Sequence, residues 1–142
     1  MRAKLPDQEG FVERSGVRIH YDVYGDGAQT MVFLPPWTIV HSRIYKAQIP
    51  HFSERFRCIA YDARGNGLSD RPDEVAAYSL DNSVDDALAV MDATEAGASI
   101  LVGLSLGGLL ASAIAAYHPQ RVKALVVAGT SALIGPAHAY MS

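Results

Sequence analysis

Four short, unbroken apolar stretches constrain this chain more than any other feature: MVFL at 31–34, CIAY at 58–61, ILVG at 100–103 and ALVVAG at 124–129. Runs of this length without polar alternation suit strands buried on both faces, and such strands need helices above and below them. The segments between them supply candidates: Ser42 to Phe52, Ser79 to Ala96 and Leu106 to Tyr117. In the second, Leu80, Val84, Leu88 and Met91 recur at helical spacing, Asp81, Asp85, Asp86 and Asp92 leave a polar side, and Ser79 stands at the cap. Ahead of these, Phe11 to Arg14 and Val17 to Tyr24 flank Ser15-Gly16, with Val17, Ile19, Tyr21 and Val23 at period two. That is a hairpin signature, closed by Gly25-Asp26-Gly27. The expected fold is α/β: a mostly parallel sheet with helices on both faces and an N-terminal antiparallel hairpin. No linker or repeat interrupts the pattern, so residues 1–142 read as a single domain.

Charge and cysteine usage narrow the partners. Twelve Lys plus Arg against fifteen Asp plus Glu give a net charge of −3, without the basic excess that neutralises a phosphate backbone, so nucleic acid is not an expected partner. The single Cys58 excludes an internal disulfide, and no CxxC unit offers a zinc or cluster site. No apolar stretch of the signal-peptide kind follows the two early basic residues, and a cytoplasmic location is expected. Ala96 to Tyr117 carries no charge and spells GxxxG at Gly103 and Gly107, a spacing used by paired membrane helices. Its glycines and serines leave it only mildly apolar, however, so a strand, a sharp turn and a buried helix account for it better than a membrane span.

That sharp turn carries the chemistry. Gly103-Leu104-Ser105-Leu106-Gly107 is GxSxG placed directly after an expected strand and directly before an expected helix. In a tight strand-to-helix reversal the positions two before and two after the serine lie against its backbone, and glycine at both removes the Cβ clash. Ser105 is thereby pushed outward as a candidate nucleophile, and the Leu106 N–H at the helix start is a candidate oxyanion donor. After MVFL comes Pro35-Pro36-Trp37-Thr38, in which the first available backbone N–H is that of Trp37. Trp37 is therefore the candidate second donor, with its indole as a candidate substrate-binding wall.

With these motifs in place the chain resembles the α/β-hydrolase superfamily, in particular its esterase, lactonase and haloperoxidase-like members. The likeness spans YDVYGDG at 21–27, VFLPPW, YDARGNGLSDRP at 61–72, VGLSLGG at 102–108 and HPQRVKALVVAG at 118–129. It implies a serine nucleophile at Ser105 and oxyanion donors at Leu106 and Trp37, with no metal or organic cofactor. Members often carry His-Gly where this chain has Pro35-Pro36. The serine sets it apart from the similar haloalkane dehalogenases and epoxide hydrolases, which carry Asp there. Asp62, Arg64 and Asp70, in a segment that superficially suggests a dinucleotide loop, are expected to be hydrogen-bonded scaffolding.

The resemblance also implies a later Asp or Glu and then a His as triad partners. The chain stops at Ser142, just past the strand after the nucleophile helix, so it is expected to be the N-terminal part of the domain, a truncated α/β-hydrolase fold. Local histidines are poor substitutes. His118 lies at the far end of the nucleophile helix, roughly 20 Å from Ser105, while His20 and His51 are expected at the surface. Only His41 and His138 begin on the carboxyl-end face of the sheet, and TSALIGPAHAYMS contains no Asp or Glu to orient a base. The expected activity is hydrolysis of an ester, thioester or lactone of a small, fairly apolar molecule, incomplete in these residues alone. The alternatives are a non-catalytic ligand-binding or sensing module and an inactive fragment. An unpaired final strand is expected to favour self-association.

Overall fold

The computed structural model describes residues 3–37 and 40–130. The hairpin forms from β1 (Gln8–Arg14) and β2 (Val17–Tyr24), and the four apolar runs form β3 (Thr30–Leu34), β4 (Arg57–Tyr61), β5 (Ser99–Leu104) and β6 (Val122–Ala128). They make one six-stranded sheet in the order β1-β2-β4-β3-β5-β6. The β1–β2 and β2–β4 pairs are antiparallel, and β4, β3, β5 and β6 run parallel. The fold is thus the mixed, mostly parallel sheet that the patterning predicts.

The pleat sends alternate residues of each strand to opposite faces. Val32 and Leu34 of β3 join Ile59, Leu101, Val90, Met91 and Ile114 in the larger core, beneath α2 (Leu80–Ala93) and α3 (Leu106–Tyr117). Met31 and Phe33 point the other way, into a smaller core with Tyr24, Tyr45, Ile49 and Cys58 beside α1 (Gln48–Phe52). Cys58 is fully buried there, and burial pushes its thiol up to about 11.

Two helices differ from expectation for local reasons. Ser42 to Phe52 is not continuous: a 3-10 turn at Ser42–Tyr45, capped by the His41 ring accepting from the Arg43 N–H, precedes the short α1. Pro50 has no N–H to give a helix running from Ser42, and is accommodated because α1 restarts at Gln48 and places it in a first turn. The second helix begins at the Ser79 cap, whose hydroxyl accepts from the Asn82 N–H at 3.2 Å, but ends at Ala93. There the Thr94 hydroxyl donates to the Val90 carbonyl at 2.7 Å and Glu95 takes a φ of 54°, which stops the helix short of Ala96.

The uncharged stretch 96–117 is divided between β5 and α3, and no helix among the described residues is long and apolar enough to cross a membrane. On β6 most side chains are exposed, including Leu125, Val126 and Val127 at 40–50%.

Candidate active site

The turn between β5 and α3 is built as its glycines require. Ser105 has φ 54° and ψ −119°, a conformation costly for any residue with a Cβ, and its side chain is exposed. The neighbours hold it there. Its N–H donates to the Ala128 carbonyl of β6 at 2.9 Å, and its carbonyl accepts from Gly108 and Leu109 at 2.9 and 3.2 Å. A Cβ on Gly103 would be driven into the Gly107 carbonyl, and one on Gly107 would lie 2.8 Å from the Leu34 carbonyl oxygen. The two glycines thus let α3 close onto the ends of β5 and β3.

Leu106 and Trp37 lie beside this turn, but their amides do not face one point. The Leu106 N–H donates to the Pro36 carbonyl at 3.2 Å. Among the described residues every peptide is trans, so the N–H of the Pro36–Trp37 peptide, which belongs to Trp37, points opposite to that carbonyl. With the carbonyl turned toward Leu106, the Trp37 N–H is turned away. The motif alone does not reveal this orientation.

Trp37, 59% exposed, and Leu106 line one cleft together with Tyr61, Tyr78 and Arg64. Arg64 is locked by a bidentate pair to the buried Asp86, 2.7 Å from each oxygen, and Asp86 also accepts from Arg14 at 2.9 Å. The buried Tyr61 hydroxyl has no partner among the described residues, and burial raises the pKa of this phenol well above its ordinary value. The cleft is mostly apolar, with the neutral Tyr61 hydroxyl and the paired Arg64 and Asp86 in its wall.

The polar residues after β4 serve as supports. Asp62 accepts from the backbone N–H groups of Ser42 at 2.7 Å and Leu68 at 3.0 Å. Asp70 accepts from the Arg18 side chain and N–H at 2.9 Å, and these bonds lower its carboxyl pKa below the ordinary value.

The histidines fall in four places. His51 is exposed on α1, and His118 caps the far end of α3. His41 is exposed and occupied as the cap of the 3-10 turn. His20 is not at the surface as the sequence suggests: it is 4% exposed, because Phe11 packs edge-on against its ring and the segment after β4 covers it. Three strand spacings separate β2 from β5, roughly 14 Å, so His20 is out of reach of Ser105. His138 lies outside the described residues. Among those described, no side chain is hydrogen-bonded to the Ser105 hydroxyl.

Comparison with known proteins places this geometry in a family. The α/β hydrolase fold family matches residues 30–141, and the chain belongs to it. It is 29% identical over 126 residues to 3-oxoadipate enol-lactonase 2 of Acinetobacter baylyi, covering 89% of this chain and 46% of that protein. It is 33% identical over 132 residues to a cis-3-alkyl-4-alkyloxetan-2-one decarboxylase of Shewanella oneidensis, covering 90% and 40%. An epoxide hydrolase of Caenorhabditis elegans is 31% identical over 117 residues, covering 82% and 29%. Among solved structures, that of Est816, an N-acyl homoserine lactone degrading enzyme, superposes with a TM-score of 0.79 at 36% identity, covering 85% of this chain and 45% of that one. The chain spans less than half the length of each of these proteins.

Proposed function

We propose that the chain carries the nucleophile of a serine hydrolase acting on an ester, thioester or lactone of a small, fairly apolar molecule. The observation that carries this reading is Ser105 itself, exposed at φ 54° between β5 and α3 and braced by β6. A serine held at such cost, beside an apolar cleft, is what acyl transfer needs. Ser105 Oγ attacks the carbonyl carbon and passes its proton to a histidine base outside the described residues. The tetrahedral oxyanion takes the Leu106 N–H once the Pro36–Trp37 peptide turns over. That same rotation swings the Trp37 N–H toward the site, so one motion assembles both donors. This route uses no metal or organic cofactor. The lactone chemistry named for two relatives supports it. A nucleophilic serine separates the chain from the epoxide hydrolases, and the buried free Cys58 suits a reducing cytoplasm.

One observation favours a second reading: with the Pro36 carbonyl on the Leu106 N–H, the cleft is arranged to hold a ligand without turning it over. Both readings meet in one experiment on the full-length polypeptide isolated from its source cells. A fluorophosphonate is expected to form an adduct that maps to Ser105, is lost in Ser105→Ala and forms faster in Pro36→Gly, where the peptide rotates more freely. Stoichiometric lactone binding with neither adduct nor product would replace the hydrolase by a binding module.

We propose further that β6, with its exposed valines, is a self-association edge in the 142-residue chain. Sedimentation is expected to show dimers or larger species that Val126→Lys disperses. A monodisperse monomer without the substitution would remove this proposal.

A further inference from the structure

His20 has no role in the chemistry above, yet it is among the most completely buried polar residues, at 4% exposure. Its Nδ1 is buried without a hydrogen-bond partner among the described residues. A buried imidazole nitrogen without a partner is costly. The carboxylates around it are arranged unequally on its two sides. Asp62 Oδ2 lies 3.6 Å from Nδ1, while Asp22 Oδ1 and Glu9 Oε2 lie 3.8 and 4.0 Å from Nε2.

We propose that Glu9, His20 and Asp22 form a binding site for a divalent transition-metal cation of the zinc type, with Asp62 as the residue that orients the imidazole. The three ligand atoms lie within 4.8 Å of one another. A tetrahedral zinc site with N and O ligands near 2 Å places its ligand atoms about 3.3 Å apart, so closure by about 0.5–1.5 Å, most of it between the two carboxylates, completes the set. Glu9, exposed on the edge strand β1, is free to make that movement. Asp22 and Asp62 are already held. Asp22 keeps Oδ1 available because its Oδ2 accepts from the Tyr24 hydroxyl at 3.2 Å. Asp62 is fixed by the Ser42 and Leu68 N–H groups, 2.7 and 3.0 Å away. Facing Nδ1, it favours the tautomer with hydrogen on Nδ1, which leaves the Nε2 lone pair directed at Glu9 and Asp22. A carboxylate behind a ligating histidine is the usual outer partner of a zinc site.

The charge and the opening also fit. Three carboxylates surround one imidazole, and the cleft they share with Arg43 and His41 is open to solvent, which can supply a fourth ligand. Imidazole among the ligands selects zinc, cobalt or nickel over magnesium or calcium. The cation ties β1, an edge strand, to β2 and to the segment after β4, and so acts as a clip rather than as a reagent. This inference does not depend on the hydrolase reading.

The test is titration of the full chain, freed of metal with a chelator, with Co²⁺ followed by visible absorption and with Zn²⁺ followed by calorimetry. One equivalent is expected per chain, with Co²⁺ bands of a four-coordinate N/O site. Glu9→Gln and Asp22→Asn are each expected to weaken binding by more than about tenfold. His51→Ala, at an exposed histidine on α1 away from the cleft, is expected to leave it unchanged. Glu9→Gln alters an exposed side chain, and its circular dichroism is expected to match the parent, so a loss of binding there is not a loss of fold. No saturable binding, binding indifferent to Glu9→Gln, or binding abolished by His51→Ala each overturns the proposal.

Discussion

Ser105→Gly is expected to abolish turnover and, in the same molecule, to raise stability. The first effect is the larger: removing the nucleophile of a serine hydrolase lowers kcat on the order of a millionfold. The second follows from the backbone. A residue with a Cβ at φ 54°, ψ −119° stores about 1–3 kcal/mol of strain, which glycine does not pay. Glycine's extra freedom in the unfolded chain returns about 0.5–1 kcal/mol of that gain, so the net change is small but favourable. Ser105→Ala separates the two effects, because alanine keeps the Cβ: it is expected to lose activity with no rise in the unfolding midpoint. Residual turnover in Ser105→Gly within tenfold of the parent would remove the serine from the chemistry. A lower midpoint than Ser105→Ala would remove the strain.

Gly103→Ala is expected to be strongly destabilising although it adds a single methyl. The new carbon meets the Gly107 carbonyl, which is backbone at the start of α3 and has no side-chain rotamer to escape through. α3 has to move off β5, and the cost is expected at about 3 kcal/mol or more, the upper range for overpacking. Gly97→Ala is the control. Nothing lies within 4 Å of a Cβ there and its φ is negative, so that methyl is expected to be neutral or to stabilise by about 0.4–1 kcal/mol. Thermal unfolding of the pair reads the difference. Equal midpoints would mean that the turn yields far more easily than its hydrogen bonds imply.

The parts of this fold that depend on local pattern were legible in the residues. Buried parallel strands announce themselves as apolar runs, and β3 to β6 lie on the four such runs. The Ser79 cap and the elbow glycines act within a turn or two of chain, so their meaning is carried by spacing. What was not legible depends on distant partners. Period two places His20 and Asp22 on the polar face of β2, which reads as solvent-facing. Only the pairing of β2 with β4 brings Asp62 and Ser69 over that face and buries it. β1 reaches back to Gln8 because β2 offers its backbone there, although Gln8 and Glu9 give no strand signal. The fate of the Leu106 N–H likewise rests on the Pro36 carbonyl, about seventy residues earlier, and no spacing rule connects the two.

The inequality of the two cores divides the molecule by timescale. Leu106 opens a helix seated on the larger core, whereas Trp37 leaves β3 toward the 3-10 turn and short α1 that cover the smaller one. Amides within α3 are therefore expected to exchange with solvent more slowly than those of the 3-10 turn and α1. Of the two groups proposed to converge on a developing oxyanion, one would belong to the slower part of the protein and the other to the faster part. On that proposal the pace of assembling the site is expected to be set by the loop rather than by the turn that holds Ser105.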